Sequence, residues 1–350
     1  MSYKIGATCL KFSSVAIFLL FIQITAAQKG TKEYGVENYS QLDAAIKQKQ
    51  AILGKDLVVM LWTDTLRYKT ELGDFNSKTM APIASCSKWL TAALVMQFVD
   101  EGKLSLDDKV AKYLPVFESY GKSYITLRHC LAHMTGIEGD RNFLQRKKFS
   151  SLEEEVEVFA KKEIKENPGV EFRYSNIGLN IAARVLEVIS RKKFDMLIKQ
   201  KLFGPLGMRQ TTFSNLDMSA PNPSGGAKST AEEYMNFLVM LLNNGLYKGK
   251  RILSEASVAE LRKMQTTPSL VKYAPRSAEG FGYALGSWVI EEDGKGNATS
   301  LASPGLFGTW PVIDWKRGYA VIFFVKSFLG EQKADAYMEL KKVIDASIKK

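Results

Sequence analysis

Strand-like segments lie near both ends of the 350-residue chain, and the long stretch between them is mainly helical. The strand-like segments are residues 56–62 and 65–72 near the start, and residues 280–290, 299–302 and 319–325 near the end. Helical apolar spacing is clearest at residues 40–53, 85–100, 177–189 and 230–243, with a further helix from about residue 333. We therefore predict an α+β fold, with one antiparallel sheet built from both chain ends, flanking helices and an inserted, mainly helical lobe.

The first 27 residues have the pattern of a cleavable export signal. Lys4 and Lys11 precede the apolar run 15–22, and the small residues 25–27 follow it. The run is shorter than the roughly 20 residues that span a bilayer. We therefore predict removal of residues 1–27, a periplasmic or extracellular destination and no stable membrane insertion afterwards.

The remaining residues, 28–350, are predicted to form one domain made of two lobes. The sheet lobe takes about residues 28–80 and 278–350, and the helical lobe takes about residues 85–277. The length and the 46% apolar content are sufficient for a sizeable core. Oligomeric state is not specified by any feature of the sequence.

Composition and rare residues argue against several kinds of partner and cofactor. The formal charge is +11, but Lys and Arg are spread along the chain without a nucleic-acid-binding pattern, so we expect no nucleic-acid partner. His129 and His133 lack a nearby acidic cluster, which favours structural hydrogen bonding over a metal site. Cys86 and Cys130 are too few for a disulfide scaffold, and either two buried thiols or a single bridge remains open.

The spacing Ser85-x-x-Lys88 places a hydroxyl and an amine on one face of a helix. A neutral lysine there can take the serine proton, and backbone N–H groups at the helix start can stabilise an acyl oxyanion. The same spacing recurs at Ser119, Ser190, Ser269 and Ser347. Only Ser85 opens a long apolar helix directly after a predicted strand and loop, although an ordinary helix cap has the same appearance.

A second polar triplet, Tyr174-Ser-Asn176, lies between the loop at Pro168-Gly169 and the predicted helix 177–189. Tyrosine beside lysine can relay a proton, and asparagine can bind an acyl group or hold the lysine. A packed tyrosine and a turn-forming asparagine are the structural alternative. The same spacing at Tyr234 and Asn236 falls inside a predicted helix.

These two motifs occur in the order found in class C β-lactamases, penicillin-binding proteins and related esterases, and the chain resembles this superfamily of serine hydrolases. Further segments that resemble it are residues 87–93, 99–108, 125–136, 204–208, 224–230 and 281–286. Most of the chain after residue 27 is covered. The resemblance implies a β-lactamase-like fold, an acyl-Ser85 intermediate, base duties shared by Lys88 and Tyr174, and no cofactor.

The third motif of that superfamily is usually Lys or His, one residue, then Gly, and this chain has Ser303-Pro-Gly305 there. By resemblance, the N–H groups of Ser85 and Leu306 form the oxyanion hole, and Ser303 contributes a neutral hydroxyl. Asn176 positions substrate or Lys88. The basic side chain that pairs with a substrate carboxylate is missing, which favours neutral acyl substrates.

We therefore expect an exported serine hydrolase that cleaves an ester, or less readily an amide, of a small-molecule or peptide-like acyl substrate. Two alternatives remain open. One is a D,D-peptidase or β-lactamase that acts on peptidoglycan-like or β-lactam substrates. The other is a non-hydrolytic sensor or scaffold that keeps the fold of a penicillin-binding protein.

Overall fold

The computed structural model describes residues 1–2, 39–64, 67–139, 147–328 and 330–348. The predicted leader at residues 1–27 lies outside these ranges, apart from its first two residues. No helix in these ranges is both long enough and apolar enough to cross a membrane.

A seven-stranded sheet joins the two ends of the chain. Its strands are β1 (Leu57–Thr63), β2 (Arg67–Leu72), β9 (Gly282–Tyr283), β10 (Trp288–Glu292), β11 (Ala298–Ala302), β12 (Trp310–Asp314) and β13 (Tyr319–Val325). The order across the sheet is β2-β1-β13-β12-β11-β10-β9, with every neighbouring pair antiparallel. β1 and β13 pair from Leu57 opposite Val325 to Thr63 opposite Tyr319. The predicted α+β class and the sheet built from both chain ends are confirmed.

Six shorter strands pair outside this sheet. They are β3 (Ala81–Pro82) with β5 (Lys228–Ser229), β4 (Phe172–Arg173) with β8 (Val271–Tyr273), and β6 (Leu246–Tyr247) with β7 (Lys250–Arg251). The β4–β8 pair is parallel, and the other two are antiparallel. The first two pairs join segments that are far apart in the sequence, whereas β6 and β7 form a local hairpin.

Two strand expectations needed correction. The segment 280–290 is not one strand: it turns at Gly286, which has φ +80, so that β9 and β10 form a hairpin. β12 was not predicted, although all five of its residues are buried. Its Pro311 explains the omission, because proline inside an apolar run argues against a central strand.

The helices occupy the middle and the two flanks of the chain. They are α1 (Ser40–Leu53), α2 (Ser87–Asp100), α3 (Val116–Ser119), α4 (Leu127–Leu131), α5 (Leu152–Lys161), α6 (Ile177–Ser190), α7 (Phe194–Ile198), α8 (Gly204–Leu206), α9 (Ala231–Leu242), α10 (Glu255–Arg262) and α11 (Ala334–Ser347). The helix predicted at 85–100 begins at Ser87, because a 3₁₀ turn at Ala84–Cys86 precedes it. The other predicted helices agree within two residues at each end.

Each face of the sheet covers a separate core. Along β1, Val58 faces the core that contains α2, α6 and α9, whereas Leu57 and Val59 face the core that contains α1 and α11. This alternation follows from the two-residue period of a strand. β13 is buried on both faces, in keeping with its continuous apolar sequence.

Helix α2 runs through the larger core and has little contact with solvent. Twelve of its 14 residues are buried. Truncating a fully buried residue such as Leu94 to alanine is expected to cost about 2–5 kcal/mol of stability. The helix that begins beside Ser85 is therefore fixed by packing.

Candidate active site

Ser85 lies in a constrained 3₁₀ turn at the start of α2. The turn follows β3, and the Ile83 N–H donates to the Ala227 carbonyl over 3.0 Å. Ala84 has φ +45, a conformation that L-residues avoid. Residues in such conformations cost about 1–3 kcal/mol and persist only where their surroundings enforce them. Packing of the neighbouring strands and helix thus fixes the backbone that carries the Ser85 hydroxyl.

Lys88 is 1% exposed, and its amine lies among three oxygen atoms. Its Nζ is 3.3 Å from Ser85 Oγ, 3.2 Å from Asn176 Oδ1 and 2.9 Å from the Ser224 carbonyl. Burial lowers the pKa of Lys88 to about 7, because the ammonium form loses its hydration. A neutral amine can still donate to Asn176 and Ser224, which leaves its lone pair for the Ser85 hydroxyl.

Tyr174 covers the same amine from another side. Its ring centroid is 4.6 Å from Lys88 Nζ, and the side chain is 5% exposed. Burial raises the pKa of Tyr174, and a hydrogen bond with Ser85 offsets this rise only in part. The phenol therefore keeps its proton at neutral pH and serves as a proton donor or relay rather than as an ionised base.

His133 supports the Tyr174 motif from behind. Its ring lies 4.6 Å from the Tyr174 ring, its Nδ1 accepts from the Ser175 N–H over 3.4 Å, and its Nε2 is 3.1 Å from the Tyr283 hydroxyl. Burial, with a contribution from the Lys88 charge, holds the pKa of His133 well below its usual value. The imidazole is therefore neutral, and its Nε2–H donates to Tyr283.

The third motif meets the backbone of Ser85. Ser303 is 3% exposed, and its hydroxyl donates to the Ser85 carbonyl over 3.3 Å. A Cβ atom on Gly305 would lie 2.2 Å from the Ile83 carbonyl, so only glycine permits this close approach. Leu306 follows directly and lines the same cavity as Ser85. Ser303 thus contacts the nucleophile's backbone, whereas we expected its hydroxyl to face the substrate.

A cavity of about 690 Å³ opens beside Ser85. Its walls include Tyr174, Asn176 and Leu306, whereas Lys88, Ser303 and Gly305 lie behind them. The fold therefore brings the seven predicted site residues together. Four of them line the cavity, and the other three lie directly behind its wall.

Sequence reasoning assigned no role to several residues around this cavity. Ser224, which accepts from Lys88, lies in the segment 224–230 that had only been noted for its family resemblance. Charged residues on the wall are Arg276, Glu279 and Glu331. No local pattern singles out Glu331, since it joins a strand to a helix and reaches the cavity only through the fold.

The cysteines and histidines have structural surroundings. Cys86 and Cys130 are free, buried thiols, which decides between the two alternatives left open by the sequence. Backbone Thr126 N–H donates to His129 Nδ1 over 3.3 Å. Among the described residues, three carboxylates come close enough to share a cation, namely Glu291, Asp314 and Asp345. The Lys341 ammonium already forms ion pairs with all three, at 2.7–3.0 Å.

The Beta-lactamase family model matches residues 42–343, which is most of the chain. The chain belongs to the Beta-lactamase family. Members of this family are serine hydrolases. The resemblance inferred from the motifs is therefore confirmed.

Individual relatives agree with this membership. Penicillin-binding protein 4 of Amycolatopsis lactamdurans is 30% identical over 236 residues, covering 58% of this chain and 62% of that protein. The D-alanyl-D-alanine-carboxypeptidase/endopeptidase AmpH of Escherichia coli K12 is 23% identical over 249 residues, covering 64% of each chain. The match thus spans less than two thirds of either relative.

A solved structure matches over a longer range. The crystal structure of a candidate β-lactamase from Bacteroides dorei DSM 17855 has a TM-score of 0.79 and 26% identity, and it covers 89% of this chain and 98% of that one. This similarity confirms the β-lactamase-like fold.

Proposed function

We propose that the chain hydrolyses esters through a covalent acyl-Ser85 intermediate. The observation that carries the proposal is the contact between Ser85 Oγ and the buried Lys88 amine at the wall of an open cavity. A lysine with a pKa of about 7 is partly neutral at physiological pH, and it can therefore act as a general base.

Acylation follows from this arrangement. Lys88 takes the proton of the Ser85 hydroxyl while Oγ attacks the acyl carbon. When the bond to the leaving alcohol breaks, Tyr174 donates a proton to the alcohol oxygen and is reprotonated from Lys88. A water molecule then attacks the acyl-Ser85 ester, its proton passes to the same groups, and the carboxylic acid leaves with Ser85 restored.

The tetrahedral intermediate needs donors for its oxyanion. The N–H groups of Ser85 and Leu306 are the proposed pair, since both residues line the cavity and Gly305 allows their backbones to approach closely. Such preorganised donors commonly contribute about 10²–10³ in rate. Their action is independent of the side chain at position 303.

An ester substrate is favoured over a peptidoglycan stem by the third motif. Where related proteins usually carry Lys or His, Ser303 is neutral and its hydroxyl is engaged by the Ser85 carbonyl. No basic side chain at this position is left to pair with a substrate carboxylate.

Intact-mass analysis with a fluorophosphonate and with p-nitrophenyl butyrate tests the proposal. We expect one adduct per chain and ester turnover, both lost in Ser85→Ala. Ser190→Ala is a matched control, because Ser190 and Lys193 have the same spacing away from the cavity. Labelling that persists in Ser85→Ala would contradict the assignment. A folded protein that is not labelled by any probe would instead favour the sensor or scaffold alternative.

A D,D-peptidase or β-lactamase remains the second candidate, and two observations favour it. AmpH is named as a D-alanyl-D-alanine carboxypeptidase and endopeptidase. Arg276 lines the same cavity and is exposed, so its guanidinium is available for a carboxylate. A penicillin adduct on Ser85 that weakens in Arg276→Ala would establish this candidate. Export to the periplasm or medium stays part of the proposal.

A further inference from the structure

Glu331 lies in the wall of the proposed acyl-binding cavity, although its sequence position suggested no role. It belongs to the 3₁₀ turn Gly330–Lys333 between β13 and α11. The turn is tied to the third motif, because the Gly330 N–H donates to the Leu306 carbonyl over 3.0 Å. Glu331 is thus held next to the residue that supplies a proposed oxyanion donor.

The Glu331 carboxyl is buried, and one of its two oxygens has no hydrogen-bond partner among the described residues. The residue is 7% exposed, and its Oε2 atom accepts no hydrogen bond from the described part of the chain. Burial raises the pKa of Glu331 to about 7. Carboxylates in such positions are costly unless a donor or a cation reaches them.

The charged groups nearby do not meet this need. Lys333, on the same turn, directs its Nζ to the Leu53 carbonyl and the Ser327 hydroxyl, at 3.5 and 3.2 Å. Arg276 and Glu279 line the cavity but are exposed to solvent. Burial, with a smaller contribution from the Glu331 charge, raises the pKa of Cys86, Tyr174 and Tyr337, so these side chains remain neutral.

We propose that Glu331 forms a recognition site for a cationic nitrogen on the substrate. The inference rests on the proposed function and names a substrate class for the same cavity. A substrate ammonium at this wall of the cavity would give the Glu331 carboxylate a charge-assisted hydrogen bond. The charge of this site is opposite to that of a site with a basic third motif, because Ser303 is neutral and an ionised Glu331 is negative.

Matched pairs of esters that differ only in charge test the site. The first pair is p-nitrophenyl 6-aminohexanoate and p-nitrophenyl heptanoate, with an ammonium in place of a methyl group on the acyl chain. The second is 3-(dimethylamino)propyl butyrate and 4-methylpentyl butyrate, with a protonated tertiary amine on the alcohol in place of a CH group. The readout is the ratio of kcat/KM between the cationic and the neutral ester, measured at pH 8, where Glu331 is ionised.

In the unmodified protein we expect a ratio of about ten or more for at least one pair, the size usual for a hydrogen bond to a charged group. Glu331→Gln and Glu331→Met should bring that ratio to about one. Glu279→Gln is the matched control and should change the ratio by less than about twofold, because its carboxylate is exposed and screened by water. A ratio near one in the unmodified protein, or an equal loss in Glu279→Gln, would overturn the inference.

Binding measurements separate this inference from the proposed function. If neither ester of a pair is hydrolysed in a Ser85-dependent manner, the proposed function fails. Calorimetric titration of the Ser85→Ala protein with 6-aminohexanamide and heptanamide then tests Glu331 alone. Tighter binding of the amine that disappears in Ser85→Ala/Glu331→Gln supports the site. Equal affinities, or no binding of either amide, overturn it.

Discussion

The pH dependence of Ser85 acylation should report the ionisation of Lys88. The folded protein holds this lysine at 1% exposure, and burial lowers its pKa from 10.5 to about 7. If the neutral amine takes the Ser85 proton, the acylation rate follows the fraction of Lys88 that is neutral. That fraction rises through the pH range in which an exposed lysine would stay fully protonated.

The magnitude follows from the same pKa. About half of Lys88 is neutral at pH 7, roughly one tenth at pH 6, and nearly all above pH 8. We therefore expect acylation to fall about fivefold between pH 7 and pH 6, then about tenfold per unit, and to reach a plateau above pH 8. With an unshifted pKa the neutral fraction at pH 7 would be only about 3 in 10,000.

Stopped-flow labelling with a fluorophosphonate, followed by intact mass from pH 5 to pH 9.5, measures this profile directly. Lys88→Arg carries a guanidinium that does not lose its proton, and it should lower the rate by about 10²–10⁴. Lys122→Arg is the matched control, since Lys122 is 5% exposed and donates to the Ala160 carbonyl over 2.7 Å. We expect its labelling rate to stay within about twofold of the unmodified protein, because it lies outside the cavity.

Two outcomes would refute the reasoning. A rate that keeps rising tenfold per unit through pH 9 would mean that the amine ionises as an exposed lysine does. A profile that is flat from pH 5 to pH 9 and is unchanged in Lys88→Arg would mean that Lys88 is not the base. In the second case the role of proton acceptor would pass to another group.

Three further predictions concern stability and support of the site. Glu331→Gln should raise the free energy of unfolding by about 1–3 kcal/mol at pH 8 and by little at pH 4.5, measured in urea. Folding raises the pKa of Glu331 to about 7. The protonated side chain therefore contributes its full share of stability below the unfolded pKa, and this contribution is lost as pH rises through about 7. Gly305→Ala should abolish fluorophosphonate labelling, because the new Cβ would lie 2.2 Å from the Ile83 carbonyl oxygen. Gly204→Ala is the control and should be labelled normally, because its Cβ would come no closer than 3.3 Å to another residue. His133→Phe should slow labelling, because it leaves the Ser175 N–H unpaired. His133→Asn retains an acceptor and should recover part of the labelling rate. Equal rates in both variants would contradict a positioning role for His133.

Much of the fold could be predicted from local sequence patterns. The continuous apolar runs of β1 and β13 predict a buried strand near each end of the chain, and the two strands pair along their whole length. Helix α2 was predicted because its apolar residues recur at helical spacing after a loop. Strand β12 was not predicted, because Pro311 argues against a central strand when only the sequence is considered.

The site divides in the same way. The sequence by itself determined which residue types could perform acyl transfer, since Ser85 and Lys88 share a helical face whatever the rest of the chain does. Tertiary structure decided that Asn176 and Ser224, 88 and 136 residues from Lys88, would reach its amine. It also placed Glu331 on the cavity wall, with its Oε2 unpartnered within the described part of the chain. The physical reason is that pKa values depend on dehydration and on neighbours that are distant in the sequence, and only the packed fold supplies either.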